Sequence, residues 1–301
     1  MSSSPGVPTL DQLQVFLTVV EAGSFAAAAR RQGRAVSAIS YAIANLEAQL
    51  GLALFDRHAT RKPQLTQAGR AVLAEARTVS RGVDDLRAKV KGLLEGLEAE
   101  VSLVVDVMFP TSRLVDALQA FQSAFPTVTL RLHVEALGAV TQLLVDGVAG
   151  VGISGPIVVE GEGIMQIAVG SVDLVPVAAP FHPLAAARGR PPGAVRGHTQ
   201  LVLTDRSRLT EGRDFAVLSV NTWRLADLGA KHALLLAGIG WGNMPAFMVE
   251  ADVEAGRLVV LTLPEGSGAP YPFNALYRAD APPGPAARWL IDRFTEQAAR
   301  G

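Results

Sequence analysis

Cysteine is absent from the chain. That excludes disulfides, thiolate metal sites, cysteine nucleophiles and thiol-based sensing together. No apolar run approaches the ~18–20 residues that a membrane span needs. The start, Met1–Pro8, lacks the basic-then-apolar pattern of a secretory signal, so the cytoplasm is the expected compartment. The five histidines (His58, His133, His182, His198, His232) are scattered without metal-ligand spacing. There is no Gly-x-Ser-x-Gly elbow, P-loop or strand-borne Gly-x-Gly-x-x-Gly. Gly238-Ile-Gly-Trp-Gly242 looks receptive to phosphate but follows a helical pattern instead of a strand. No catalytic residue, metal or cofactor is therefore expected.

What is present is a long chain with apolar residues to spare. Its 301 residues are 49% hydrophobic and 18% charged, enough for two domains or more. The charge is uneven. Residues 1–96 hold twelve Lys and Arg against eight Asp and Glu, so the remainder carries five more acids than bases. A basic first third on an acidic body suggests a polyanion partner for that third alone.

The basic third reads as short helices. Thr9-Leu-Asp-Gln12 is a capping box ahead of Leu13, Phe16, Leu17 and Val20. Gly23 stops that helix, Ser24 caps a second over Phe25–Gln32, and Gly33 ends it. A third runs roughly Ser37–Leu50, burying Ile39, Ile43, Leu46 and Leu50, and ends at Gly51. This is a helix-turn-helix pattern. The basic stretch from Gly51 to Leu65 is strand-like and suits a wing beside a nucleic-acid backbone. Thr66 then caps a long helix. In it Val72, Val79, Leu86 and Leu93 recur every seven residues, and so do Ala76, Val83, Val90 and Leu97. So narrow an apolar stripe over nearly four heptads predicts a seam for a partner helix, Val72, Ala76, Val79, Val83, Leu86, Val90 and Leu93. A helix packed on its own domain would show a wider stripe.

From Val101 strands and helices alternate, which predicts an α/β sheet. Strands are expected at Val101–Val107, Val128–Val134, Val148–Ile153, Val172–Ala178, Gln200–Thr204, Phe215–Val220, Leu258–Leu261 and Phe273–Tyr277. Helices are expected at Thr111–Phe125, Gly138–Val145, Leu225–Ala237, after Pro245 and at Pro285–Ala299. Gly/Pro-rich stretches at 155–163 and 264–272 are the expected crossings between two lobes, with a cleft at the hinge.

A resemblance emerges from residues 9–70. Leu10…Phe16…Val20-Glu-Ala-Gly-Ser-Phe25…Ala28-Ala29-Arg30, then Ser37-Ala-Ile-Ser40…Ile43…Leu46-Glu47…Leu50-Gly51…Leu54-Phe-Asp-Arg57…Arg61…Leu65-Thr66…Gly69 resembles the LysR-type transcription regulators. It continues through Phe181-His-Pro-Leu184, Gly238–Pro245 and Glu254-Ala-Gly-Arg-Leu258. The resemblance implies a multidomain α+β and α/β protein. A winged helix-turn-helix would span 1–66, a coiled-coil linker 67–97, and a two-lobe effector domain like the type 2 periplasmic binding proteins 98–301. Lobe I would take about 98–162 and 270–301, and lobe II about 163–269. It also implies a tetramer of two dimer types, where the heptads argue only for the dimer. The chain departs from the family pattern at Gln32, Ala35, Val36 and Ala42, so fewer polar side chains are expected to face the groove.

Double-stranded DNA is the expected macromolecular partner, as an inverted repeat that matches paired heads. Ser37, Ser40, Tyr41 and Asn45 on the third helix are the groove or phosphate candidates. Arg30, Arg34, Arg57, Arg61 and Lys62 are phosphate candidates, and Ser24 offers a hydroxyl at its helix N-terminus. For the effector, a small molecule with a carboxylate, the expected lining is Met108, Phe109, Pro110, Thr111 and Ser112. Glu135, Thr204, Asn221, Trp223, Trp241 and Asn243 would face it. Two other readings compete: a cytoplasmic solute-binding protein and an α/β enzyme. The basic winged segment argues against the first and the missing catalytic motifs against the second.

Overall fold

The computed structural model describes residues 6–56, 63–156, 163–186, 191–264 and 268–300. The chain divides into two compact units, Met1–Lys91 and Gly92–Gly301.

The first unit opens with α1 (Leu10–Ala22), where the Thr9 hydroxyl accepts from Gln12 N and the Gln12 side chain answers to Thr9 N at 2.8 Å. Helices α2 (Phe25–Gln32) and α3 (Val36–Leu50) follow, ended by Gly33 and Gly51. Ala28 is fully buried, so α2 crosses its neighbours closely, and Val15, Phe16, Val19, Ile39, Ile43 and Leu46 fill the core. Glu47 accepts from the main chain of Leu54 at 2.7 Å and Phe55 at 3.2 Å, which ties α3 to the segment after it. Phe55 then forms an antiparallel bridge with Leu65 and stacks edge-on against Phe16 and Phe25. Helix α4 (Gln67–Leu94) starts under the Thr66 hydroxyl, which accepts from Gly69 N at 2.8 Å. Residue 69 must be glycine: a Cβ there would sit 2.1 Å from the Leu54 carbonyl oxygen.

The expected seam on α4 needs a correction at its start. Val72 packs against the head core and Ala76 is part of it, because the first turns of α4 close the three-helix bundle. Val79, Leu86, Val90 and Leu93 are exposed, and Val83 is half-buried. Among the described residues no single helix is long and apolar enough to cross a membrane.

The second unit is built on one nine-stranded sheet of order β2-β1-β3-β9-β4-β7-β5-β6, with β8 attached to β4. The strands are β1 (Glu100–Asp106), β2 (Thr129–Glu135), β3 (Val151–Ser154), β4 (Ile164–Ala178), β5 (Gln200–Leu203), β6 (Thr222–Leu225), β7 (Trp241–Pro245), β8 (Val259–Val260) and β9 (Ala269–Arg278). Between them lie α5 (Thr111–Ala124), α6 (Gly138–Val145), the short α7 (Pro183–Ala186), α8 (Leu228–Leu236) and α9 (Ala246–Glu254), and α10 (Pro285–Arg300) closes the chain. Two parallel triplets, β2-β1-β3 and β6-β5-β7, are joined by the antiparallel pair β4 and β9. Phe109, Phe121, Phe273 and Phe294 fill the core under the first triplet.

Three expectations are corrected here. The chain crosses between the halves of the sheet inside β4 and β9, where the register shifts between Ala168 and Ser171. A bulge bends a strand without ending it; of the expected crossings at 155–163 and 264–272, residues 157–162 and 265–267 lie outside the described residues. The run Phe215–Val220 is not a strand. Gln200 accepts from Leu218 N at 2.8 Å and Ser219 N at 3.1 Å and donates to the Ala216 carbonyl at 2.7 Å, so a side chain takes the bonds a ladder would make. Trp241–Pro245, where no strand is expected, forms β7 against β4.

Candidate functional site

On α3 the helical period turns Ile39, Ala42, Ile43 and Leu46 inward and leaves Val36, Ser37, Ser40, Tyr41 and Ala44 exposed. Ser37, Ser40 and Tyr41 therefore share one outer face, with Asn45 half-buried behind them. Ala42, expected toward the groove, is in the core. The Ala35 cap makes no side-chain bond, so the first N–H groups of α3 keep their capacity to donate. Ser24 caps α2 by accepting from Ala27 N at 3.1 Å, and its own O–H remains able to donate. Arg30 is exposed. Arg34 is held by Asp11 through bonds of 2.8 and 3.0 Å, an exposed pair that costs little to exchange for another anion. Gln32 donates to the Thr18 hydroxyl at 2.8 Å, which gives this half-buried amide a partner between α2 and α1. Arg57, Arg61 and Lys62 lie outside the described residues.

In the second unit a cavity of about 240 Å³ opens where the two halves of the sheet meet. Met108, Leu137, Leu174, Leu201, Leu203 and Phe215 give it apolar walls, and Gln200, Lys231, Asn243 and Tyr271 are its polar members. Of the eleven residues expected to line an effector site, Met108 and Asn243 border this cavity. Phe109 is core, wedged against Phe273 and Phe294. Pro110, Thr111 and Ser112 open α5 outside the lining, with Thr111 and Ser112 exposed. Glu135, Asn221 and Trp223 are exposed, and Thr204 is half-buried outside the lining. Trp241 is fully buried in a separate cluster with Leu184, Val195 and Leu261, its indole N–H donating to the Ser219 hydroxyl at 3.2 Å.

Behind the cavity wall, at the end of β1, Asp106 holds two of the lining residues, Met108 and Tyr271. Its carboxylate accepts from Met108 N at 2.8 Å and from the Tyr271 hydroxyl at 3.0 Å, with further backbone bonds from Leu137 and Gly155. Burial outweighs these donors and pushes the carboxyl up to about 6. The same burial, with Asp106 alongside, holds the Tyr271 phenol protonated far above its ordinary range. Leu137, which leads into α6, has a positive φ of 53° that an L side chain adopts only when its surroundings enforce it. Across the cleft Asp205 accepts from Ala139 N at 3.0 Å and from the hydroxyls of Ser207 and Thr210, so a loop of the second half clasps the N-terminus of α6.

Two family models match. Residues 10–70 fit the bacterial regulatory helix-turn-helix protein, lysR family, and residues 94–299 fit the LysR substrate binding domain. The chain belongs to the LysR family of DNA-binding transcription regulators, with an N-terminal helix-turn-helix and a C-terminal effector-binding domain. Among its relatives is the transcriptional regulator AceR of Acinetobacter baumannii, 27% identical over 288 residues that cover 94% of this chain and 95% of AceR. The probable regulator YhaJ of Escherichia coli K12 is 30% identical over 264 residues, 84% of this chain and 86% of YhaJ. The full-length structure of LysG from Corynebacterium glutamicum with bound effector arginine shares the fold: TM-score 0.52, 18% identity, 97% of this chain and 99% of LysG covered.

Proposed function

We propose that this regulator binds an inverted-repeat promoter site as a dimer or tetramer and that a small molecule in the 240 Å³ cavity resets its grip. The observation that carries the reading is the outer face of α3, where Ser37, Ser40 and Tyr41 stand clear of a packed core. The third helix enters the major groove N-terminus first, and Ser24, Arg30, Arg34, Asn45, Arg57, Arg61 and Lys62 serve the backbone and groove margins. Val79, Val83, Leu86, Val90 and Leu93 form the seam that pairs two heads. The protein works in the cytoplasm and carries out no catalysis. Its effector is a small carboxylate whose binding favours one of two quaternary arrangements, which changes the spacing of the heads.

The test is titration of the full-length protein into DNA from its own upstream region and into an unrelated duplex, across a range of salt. Preference for the upstream fragment with a steep fall in salt is the expected result. No binding at low salt overturns the reading. Arg30→Ala should weaken both duplexes about equally and flatten the salt slope by about one.

A further inference from the structure

Lys231 is out of place by ordinary burial rules. It shares the inner face of α8 with Leu228 and Leu235, and only 2% of it is exposed. Its Nζ donates to the Asn243 main-chain carbonyl at 2.7 Å. An ammonium has three protons to donate, so two remain. No carboxylate among the described residues pairs with it, and burial alone pulls its pKa down to about 8. The side chain has room because residue 242 is glycine: a Cβ there would stand 3.1 Å from the Lys231 Cε and 2.7 Å from the Leu201 carbonyl oxygen. Lysine is rarely buried without a partner, since an unpaired ammonium in an apolar wall destabilises the free protein. Here Lys231 belongs to the lining of the cavity, beside Asn243, whose carbonyl holds its Nζ.

We infer that Lys231 anchors the anionic group of the effector, and that the effector is a small monoanion with an apolar body. This rests on the cavity being the effector site. The other polar groups of the lining are largely committed. The Gln200 amide is spent on residues 216, 218 and 219, and the Tyr271 hydroxyl donates to Asp106. Lys231 and the Asn243 side chain are left to meet a ligand. One positive charge balances one negative charge, and a dianion would bury a charge uncompensated. The walls around it are leucine, methionine and phenylalanine. At about 240 Å³ the space lies between the ~150 Å³ that accepts benzene and the ~300 Å³ at the lower end of drug-sized sites. Benzoate and branched short-chain carboxylates have this size and charge. The N-terminus of α5 is no part of this wall: Thr111 and Ser112 are exposed outside the lining.

The experiment uses the full-length protein with benzoate, isovalerate and their neutral amides, read by thermal shift and calorimetry. Two variants accompany the wild type: Lys231→Met, which keeps the length and removes the charge, and Leu174→Trp, which fills the cavity from its partly exposed wall. At least one acid should stabilise the wild type and bind about tenfold or more tightly than its amide. Lys231→Met without ligand should melt a few degrees higher and lose the preference for acid over amide. Leu174→Trp, with its cooperative melt retained, should bind neither. If acids and amides bind alike, or Lys231→Met keeps the preference, the anchor is wrong while the cavity stands as long as Leu174→Trp blocks both. If Leu174→Trp binds the acids as the wild type does, the ligand lies elsewhere and the cavity reading falls too. Failure of both acids to bind the wild type overturns the monoanion class.

Discussion

The two units bury different things. Among the described residues the head hides one polar side chain, Gln12, whereas the effector unit hides Asp106, Gln200, Ser219 and Lys231, among others, several of them around one cavity. The head is a rigid bearer of an exposed reading face, and its stability comes from apolar packing closed by caps. The effector unit gives up stability to keep charged and polar groups dry where a ligand can use them. A regulator needs both, because a soft head would blur the register on DNA and an apolar cavity could not choose its ligand.

The sharpest way to break this contrast is to damage the head alone. Phe16 is fully buried at its centre. Phe16→Ala should cost about 3–5 kcal/mol and lower the head's melting transition by more than 10 °C or so. DNA binding should vanish while the effector unit melts as before, which calorimetry on the full chain resolves. A single transition moving as one would show that the units share their stability.

Next comes the cost of the buried carboxyl. Asp106 titrates near 6 in the folded protein against 3.8 when exposed. A raised carboxyl binds its proton more tightly in the folded state. The unit is thus favoured below the unfolded value and loses that stability as pH rises through about 6. The loss amounts to about 3 kcal/mol across that window. Denaturant unfolding from pH 4 to 7 should show the slope in the wild type and lack it in Asp106→Asn. Lys231 carries the opposite slope at the other end. Its pKa is lowered to about 8, so stability should rise between about pH 8 and 10.5 and do so no longer in Lys231→Met.

The helices of the head could be read from the chain because each rests on contacts within a few residues: the Thr9–Gln12 box, the caps, the glycine stops. The cavity could not, because β4, β5, α8, β7, β9 and the loops between them bring its walls together from as far apart in the chain as Met108 and Tyr271. Asp106 falls inside the expected strand Val101–Val107, with nothing in its neighbours along the chain to single it out. Lys231 falls inside the expected helix Leu225–Ala237, and its place three after Leu228 and four before Leu235 puts it on the apolar stripe. That spacing was the signal to find it. Trp241 and Trp223 drew attention by their size, yet one fills a satellite core and the other stands exposed.

The smallest effect separates structure from recognition within the head itself. Ser24 caps α2 and, under the proposed function, also donates to a phosphate. Ser24→Ala removes both roles and should cost about 1 kcal/mol of stability together with some affinity for every duplex. Ser24→Asp keeps an acceptor for Ala27 N and adds a negative charge at the helix N-terminus, so stability should hold or improve slightly. The same charge repels a phosphate, and DNA affinity should fall further than in Ser24→Ala, most visibly at low salt. Should Ser24→Asp bind DNA as well as the wild type, Ser24 is a cap and nothing more, and the backbone contacts of α2 belong to Arg30 and its neighbours.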